Sequence, residues 1–174
     1  MENQRIRLSK KMLKLALIDL MQEKNIEKIT VYSICEKAMI NRTTFYKYYG
    51  SQYDLFEDII DDIFNELEIC FSNQDKDSCM AFCDYLRYMS EDRKKFLVII
   101  NSSASYRFSE RLFSLDFLKN MIHAHMNHNF TEQQERYAII FICTGTFSII
   151  CEWMNNGCTE QPEEILDMLI KLMS

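Results

Sequence analysis

The sequence predicts an all-α protein: an N-terminal three-helix head holding a helix-turn-helix, followed by a helical bundle, about nine helices in all. Its 174 residues include only three glycines and one proline, far below what the turns of a sandwich or barrel consume. Apolar residues recur at spacings of three and four nearly throughout, which is the helical period. Residues that start helices stand just ahead of several of these runs. At 48% hydrophobic content the chain buries a substantial core without metals or disulfides.

The elements follow in order. A first helix spans about Arg5 to Lys24. Thr30 supplies an N-cap oxygen, and the helix from Val31 to Lys37 places Ile34, Cys35 and Ala38 on one apolar face. Met39 and Ile40 interrupt that pattern, after which Asn41 caps a helix from Arg42 to Tyr48. Phe45 and Tyr49, four apart, face inward. Arg42, Thr43, Thr44, Lys47 and Tyr48 are left toward solvent, a surface of donors and cations suited to duplex DNA. Ser51 caps the next helix with Asp54 as its reciprocal partner, and Leu55, Phe56, Ile59, Ile60, Ile63, Phe64 and Leu67 keep helical spacing.

Further helical patterns run from Ser78 to Met89, Asp92 to Ile100 and Ser109 to Asn127. Thr131 and Gln134 form a capping box ahead of YAIIFICTGTFSIIC, and Gly157 offers a C-cap after Asn156. Those fifteen uncharged residues fall short of the ~20 a bilayer requires, so no membrane partner is expected. A helix apolar all round needs cover on both sides, and a second copy of the chain is one source of it. Gly145 at its middle lets two backbones approach. Pro162, Glu163 and Glu164 open a last helix through Met173. No Pro/Gly linker divides the chain, so a head of residues 1–50 joins a body of residues 51–174 through the helix after Ser51.

Charge separates the same two regions. Met1–Gly50 contains ten Lys/Arg against five Asp/Glu, and because the whole chain is −6 the remainder is −11. A cationic head on an anionic body presents one end to a polyanion. The seven cysteines, among them Cys35, Cys70, Cys143 and Cys151, fall largely at apolar helical positions. They read as reduced core thiols of a cytoplasmic protein, and the N-terminus shows no export signal. Of His123, His125 and His128 only the last two share a helical face, and Cys79 and Cys83 pack as core, so no metal is expected. No phosphate loop, nucleophile elbow or cleft-bound carboxylate pair is present, which predicts no enzyme, no catalytic residue and no cofactor.

Thr30, Ile34, Ala38, Ile40, Arg42, Thr44, Phe45, Tyr46, Tyr49, Ser51, Leu55 and Phe56 stand in the order and spacing of a known pattern. Through them the segment from Ile29 to Phe56 resembles the N-terminal DNA-binding domain of TetR-type transcriptional regulators. The end of the chain, FICTGTFSIICEWMNNGCTEQPEEILDMLIKL, resembles a C-terminal domain from one branch of that family. Residues 73–129 are covered only loosely. Two positions depart from the pattern: Met39 replaces the usual turn glycine, and Gln52 replaces a lysine that touches phosphate.

The resemblance implies residue roles. Arg42, Thr43 and Lys47 become base readers in the major groove, while Thr30, Thr44, Tyr46 and Tyr48 become phosphate contacts. It implies a homodimer on a pseudo-palindromic operator in double-stranded DNA, with recognition helices about 34 Å apart. Its interface would use the last two helices through Phe141, Gly145, Ser148, Ile149, Glu152, Ile165 and Leu169. It also implies a repressor released by a small apolar or amphipathic ligand, for which Phe82, Tyr85, Met89, Phe113, Phe117, Met121 and Phe147 are the candidate lining. An alternative keeps the fold but acts as a protein-interaction module, a coregulator with weak or no DNA binding.

Overall fold

A computed structural model describes residues 4–71, 77–125 and 130–173, apart from the side chains at 69–71 and 117. His128, Asn127 and the side chains of Cys70 and Phe117 lie outside the described residues. Within them the chain is all helical, with ten α-helices and no strand, and it divides into compact units at residues 1–66 and 67–174. The first unit therefore reaches past the edge expected at Gly50, because Leu55, Phe56, Ile59, Ile63 and Phe64 bury the start of the fourth helix.

The first unit comprises α1 (Gln4–Met21), a 3-10 turn (Ile26–Lys28), α2 (Val31–Ala38), α3 (Arg42–Phe45) and α4 (Gln52–Phe71), which continues across the division. Leu13, Ala16 and Leu17 of α1 are buried along with Ile34 and Ala38 of α2, and those two helices pack together. α2 ends with Met39 in the left-handed region at φ 53°. The Met39 N–H bonds Glu36 O and the Ile40 N–H bonds Cys35 O, the Schellman arrangement in which glycine is the usual left-handed residue. Met39 is 90% exposed and packs almost nothing. Met39→Gly is therefore expected to stabilise the chain by ~1 kcal/mol, since a side chain in this region costs about that much or more. Urea unfolding checks this, and an unchanged or lower midpoint would contradict it.

The second unit holds α5 (Ser78–Glu91), α6 (Arg93–Ile100), α7 (Ser105–Phe113), α8 (Asp116–His125), α9 (Glu132–Asn155) and α10 (Pro162–Met173). α5 packs on α6, α8 and α10, and α6 packs on α7 and α9. Aromatic rings line this core: Phe82 stacks on Tyr85, while Phe96 meets Tyr85, Tyr88 and Phe108 edge-on, with centroids 5.3–6.4 Å apart. The stretch expected as one helix from Ser109 to Asn127 is instead two. Ser114 Oγ donates to Arg111 O at 2.6 Å, and the Leu115 N–H bonds Leu112 O three residues back. Asp116 then starts α8 anew with a negative charge in its first turn.

α9 has the bounds its local signals predict. Thr131 and Gln134 form the reciprocal capping box. At the other end the Gly157 N–H bonds Met154 O and the Cys158 N–H bonds Trp153 O, with Gly157 at φ 92°. The fifteen-residue uncharged run lies inside a 24-residue helix, so by length and composition α9 is capable of crossing a membrane. Only 28% of its most apolar stretch is buried. Ile142, Thr146, Ile150, Trp153 and Met154 form the covered stripe, whereas Tyr137, Ile140 and Phe141 are exposed.

Candidate nucleic-acid interface

Two caps build the helix-turn-helix. Thr30 Oγ1 accepts the Ser33 N–H at 3.2 Å, and Ser33 Oγ accepts the Thr30 N–H at 3.2 Å. Asn41 Oδ1 accepts the Thr43 N–H at 2.8 Å, which starts α3. The regular helix then ends at Phe45 rather than at the expected Tyr48. Beyond it the Lys47 N–H bonds Thr44 O and the Tyr48 N–H bonds Phe45 O, a tighter turn that carries the chain toward Gly50.

A helix this short depends on tertiary anchors. Phe45 is fully buried and Tyr49 nearly so, with ring centroids 5.6 Å apart. The Tyr49 hydroxyl donates to Asp58 Oδ2 at 2.6 Å. Lys14 Nζ lies 2.9 Å from the same Asp58 oxygen and 2.6 Å from Asp62 Oδ2. Burial by itself would raise the Asp58 carboxyl, but the hydrogen bonds from Lys14 and Tyr49 and the charges of Lys14 and Lys10 outweigh it and hold it below the ordinary range. α1 and α4 thus grip the end of the recognition segment through one carboxylate. Lys14, Asp58 and the hydroxyl of Tyr49 escaped sequence reasoning, because Lys14 lies more than forty residues from its carboxylate partners and the Tyr49–Asp58 bond spans nine residues across the start of a new helix, so neither leaves a helical spacing to read.

The outward face is as the spacing implies for Arg42, Thr43 and Lys47, all exposed. Tyr46 is 58% exposed and edge-on to Phe45, and Thr30 is exposed beside α2. Thr44 and Tyr48 are half-buried rather than free. Lys10 Nζ of α1 stands 6.0 Å from the Tyr48 ring centroid, adding a cation near the same face. Arg42 also acts on Cys35 behind it: burial pushes that thiol up and the guanidinium charge pulls it part of the way back. Gln52 is the half-buried first residue of α4, so its position lacks a cation.

Residues 78–174, more than half of the chain, match the TetR-type family model described as "Transcriptional regulator C-terminal region". The chain belongs to the TetR-type transcriptional regulators. This TetR-type regulator is 26% identical over 170 residues to the uncharacterized HTH-type transcriptional regulator YxbF of Bacillus subtilis strain 168, covering 91% of the chain and 43% of that relative. It thus spans less than half the relative's length. Its fold matches the crystal structure of a TetR transcriptional regulator from Streptococcus agalactiae 2603V, at TM-score 0.80 and 18% identity over 98% of this chain and 96% of the other. It also matches RolR in complex with the ligand resorcinol, at TM-score 0.60 and 16% identity over 99% and 91%. The family, the Bacillus subtilis relative and the Streptococcus agalactiae protein are regulators of transcription.

In the regulator's second unit, Phe82, Tyr85 and Met89 of α5 and Met121 of α8 are fully buried, while Phe113 and Phe147 are half-buried. The first four are thus parts of a packed core. The Tyr85 hydroxyl is buried there with no hydrogen-bond partner among the described residues, an arrangement that costs about 1–3 kcal/mol, and burial pushes its pKa well up.

The residues expected at a subunit interface divide. Phe141, Ser148 and Glu152 are exposed, Gly145 and Ile149 are half-buried, and a Cβ at Gly145 would meet nothing within 4 Å. Ile165 and Leu169 are 4% and 1% exposed, so in the single chain they pack in its own core. The outward apolar residues of α10 are instead Met168 and Leu172, three residues further on in each case.

Proposed function

We propose that this regulator binds a pseudo-palindromic operator in double-stranded DNA as a homodimer and represses until a small ligand releases it. The observation that carries the reading is the exposed set Arg42, Thr43, Tyr46 and Lys47 on a capped segment clamped from behind by Phe45 and Tyr49. Long cationic side chains on such a segment read guanine edges, while Thr30, Thr44 and the tyrosines position the backbone. The exposed apolar face of α9, with Met168 and Leu172 of α10 replacing Ile165 and Leu169, supports dimer formation. The unpartnered Tyr85 hydroxyl supports a small apolar or amphipathic ligand that brings a hydrogen-bond acceptor.

Binding of the full chain to duplex DNA from around its own gene, measured by fluorescence anisotropy at two salt concentrations, tests the reading. Lys47→Ala is expected to lose ~1–3 kcal/mol on the specific duplex while leaving the oligomeric state unchanged. Equal affinity of wild type and variant, or equal binding to a scrambled duplex, would remove α3 as the reader.

A further inference from the structure

Outside the DNA-binding surface the fold brings together a thiol and an imidazole that the sequence keeps 46 residues apart. Cys79 Sγ, near the start of α5, lies 3.8 Å from His125 Nε2 at the end of α8. The two helices pack against each other, and both side chains are half-buried, so small solutes reach them. His125 Nδ1 sits 2.9 Å from Met121 O. A carbonyl only accepts, so Nδ1 holds the ring proton and the Nε2 lone pair is turned toward the sulfur. A backbone carbonyl on the second nitrogen is the usual way a metal-binding imidazole is oriented.

We propose that Cys79 and His125 form a two-ligand clasp for a thiophilic divalent cation of the Zn2+ or Cd2+ type. Zinc–sulfur and zinc–nitrogen distances of ~2.3 and ~2.0 Å place the two donor atoms about 3.5 Å apart at a tetrahedral angle. The observed separation differs from that by a few tenths of an ångström, which a small side-chain rotation covers. Thiolate with imidazole selects soft and borderline ions over Mg2+ or Ca2+. Among the described residues no group of three His, Cys, Asp or Glu is placed to hold a metal, so the clasp is proposed on these two ligands alone. Burial and then Asp77 push the Cys79 thiol up; the free thiol therefore keeps its proton. On binding the S–H bond breaks, sulfur and Nε2 each form a bond to the cation, and the proton passes to solvent. The cation would tie the start of α5 to the end of α8.

Cys83, one helical turn further along α5, serves as the internal control. Its sulfur faces Arg87 Nη2 at 3.9 Å and is affected by Glu163 of α10. The test is a Cd2+ titration of the reduced full chain without DNA, followed by the ultraviolet thiolate-to-cadmium charge-transfer band, with circular dichroism confirming that each variant is folded. The band is expected to saturate at equimolar Cd2+, to yield to added Zn2+ and to vanish in Cys79→Ser. His125→Asn should weaken binding by about tenfold or more, and Cys83→Ser should leave it unchanged. A band that survives Cys79→Ser, or equal affinity in His125→Asn, would overturn the proposal. If Cys79→Ser fails to fold, the His125→Asn titration decides. Because no DNA is present, this result and the operator result stand or fall separately.

Discussion

Phe45→Ala is expected to cost ~3–5 kcal/mol of stability in the first unit and to abolish specific DNA binding. The ring is fully buried, so its removal forfeits both the transfer free energy and the contacts around the cavity left behind. It meets Tyr46 edge-on at 5.5 Å and Tyr49 at 5.6 Å, which are the two sides of the recognition segment. α3 is four residues long, too short for its own hydrogen bonds to hold it. With a domain's total stability near 5–15 kcal/mol, a loss of this size leaves little margin. Urea unfolding followed by far-ultraviolet circular dichroism should show an early transition for the first unit. A change below ~1 kcal/mol would mean that the segment is held by something other than this ring.

The second large effect concerns subunit association. Phe141 is 74% exposed on the outer face of α9, so Phe141→Glu should alter the stability of the isolated chain by no more than ~0.5 kcal/mol. In the proposed interface the same change buries an unpaired carboxylate and removes an aromatic anchor. The expected loss is ~3 kcal/mol or more of association free energy, over a hundredfold in the dimer dissociation constant. Sedimentation equilibrium should report a dimer for the wild type and a monomer for the variant. Affinity for a two-half-site duplex should fall with it, because each half-site is then bound independently. A variant that remains dimeric would move the interface off this face of α9.

Helix ends were legible where their signals are local. Thr30, Asn41 and Thr131 each place a side-chain oxygen on a backbone N–H within three residues. Gly157 ends α9 by a backbone preference of its own. The alternation of buried Phe45 and Tyr49 with exposed Arg42, Thr43 and Lys47 was likewise readable, because helical spacing assigns sides without knowledge of the neighbours. Met39 was recognisable as a residue out of place in a turn, and its left-handed backbone bears that out.

Other features needed the assembled chain. α3 stops at Phe45, and the turn beyond it leads to Tyr49, whose hydroxyl reaches Asp58 and, through it, Lys14. The break between α7 and α8 at Ser114 and Leu115 has no glycine or proline to announce it. Ile165 and Leu169, assigned to the subunit interface by the resemblance, are buried in their own chain, since a helix with apolar residues around much of its circumference does not reveal which stripe its own core claims. The sequence by itself determined the class of fold, the helix caps and the exposure of Arg42, Thr43 and Lys47, all products of interactions within a few residues. Only the tertiary structure decided which apolar stripes remain outside, how Asp58 joins α1, α4 and Tyr49, and that Cys79 meets His125. Those depend on the packing of helices far apart in the chain, and packing free energy is not a sum of local preferences.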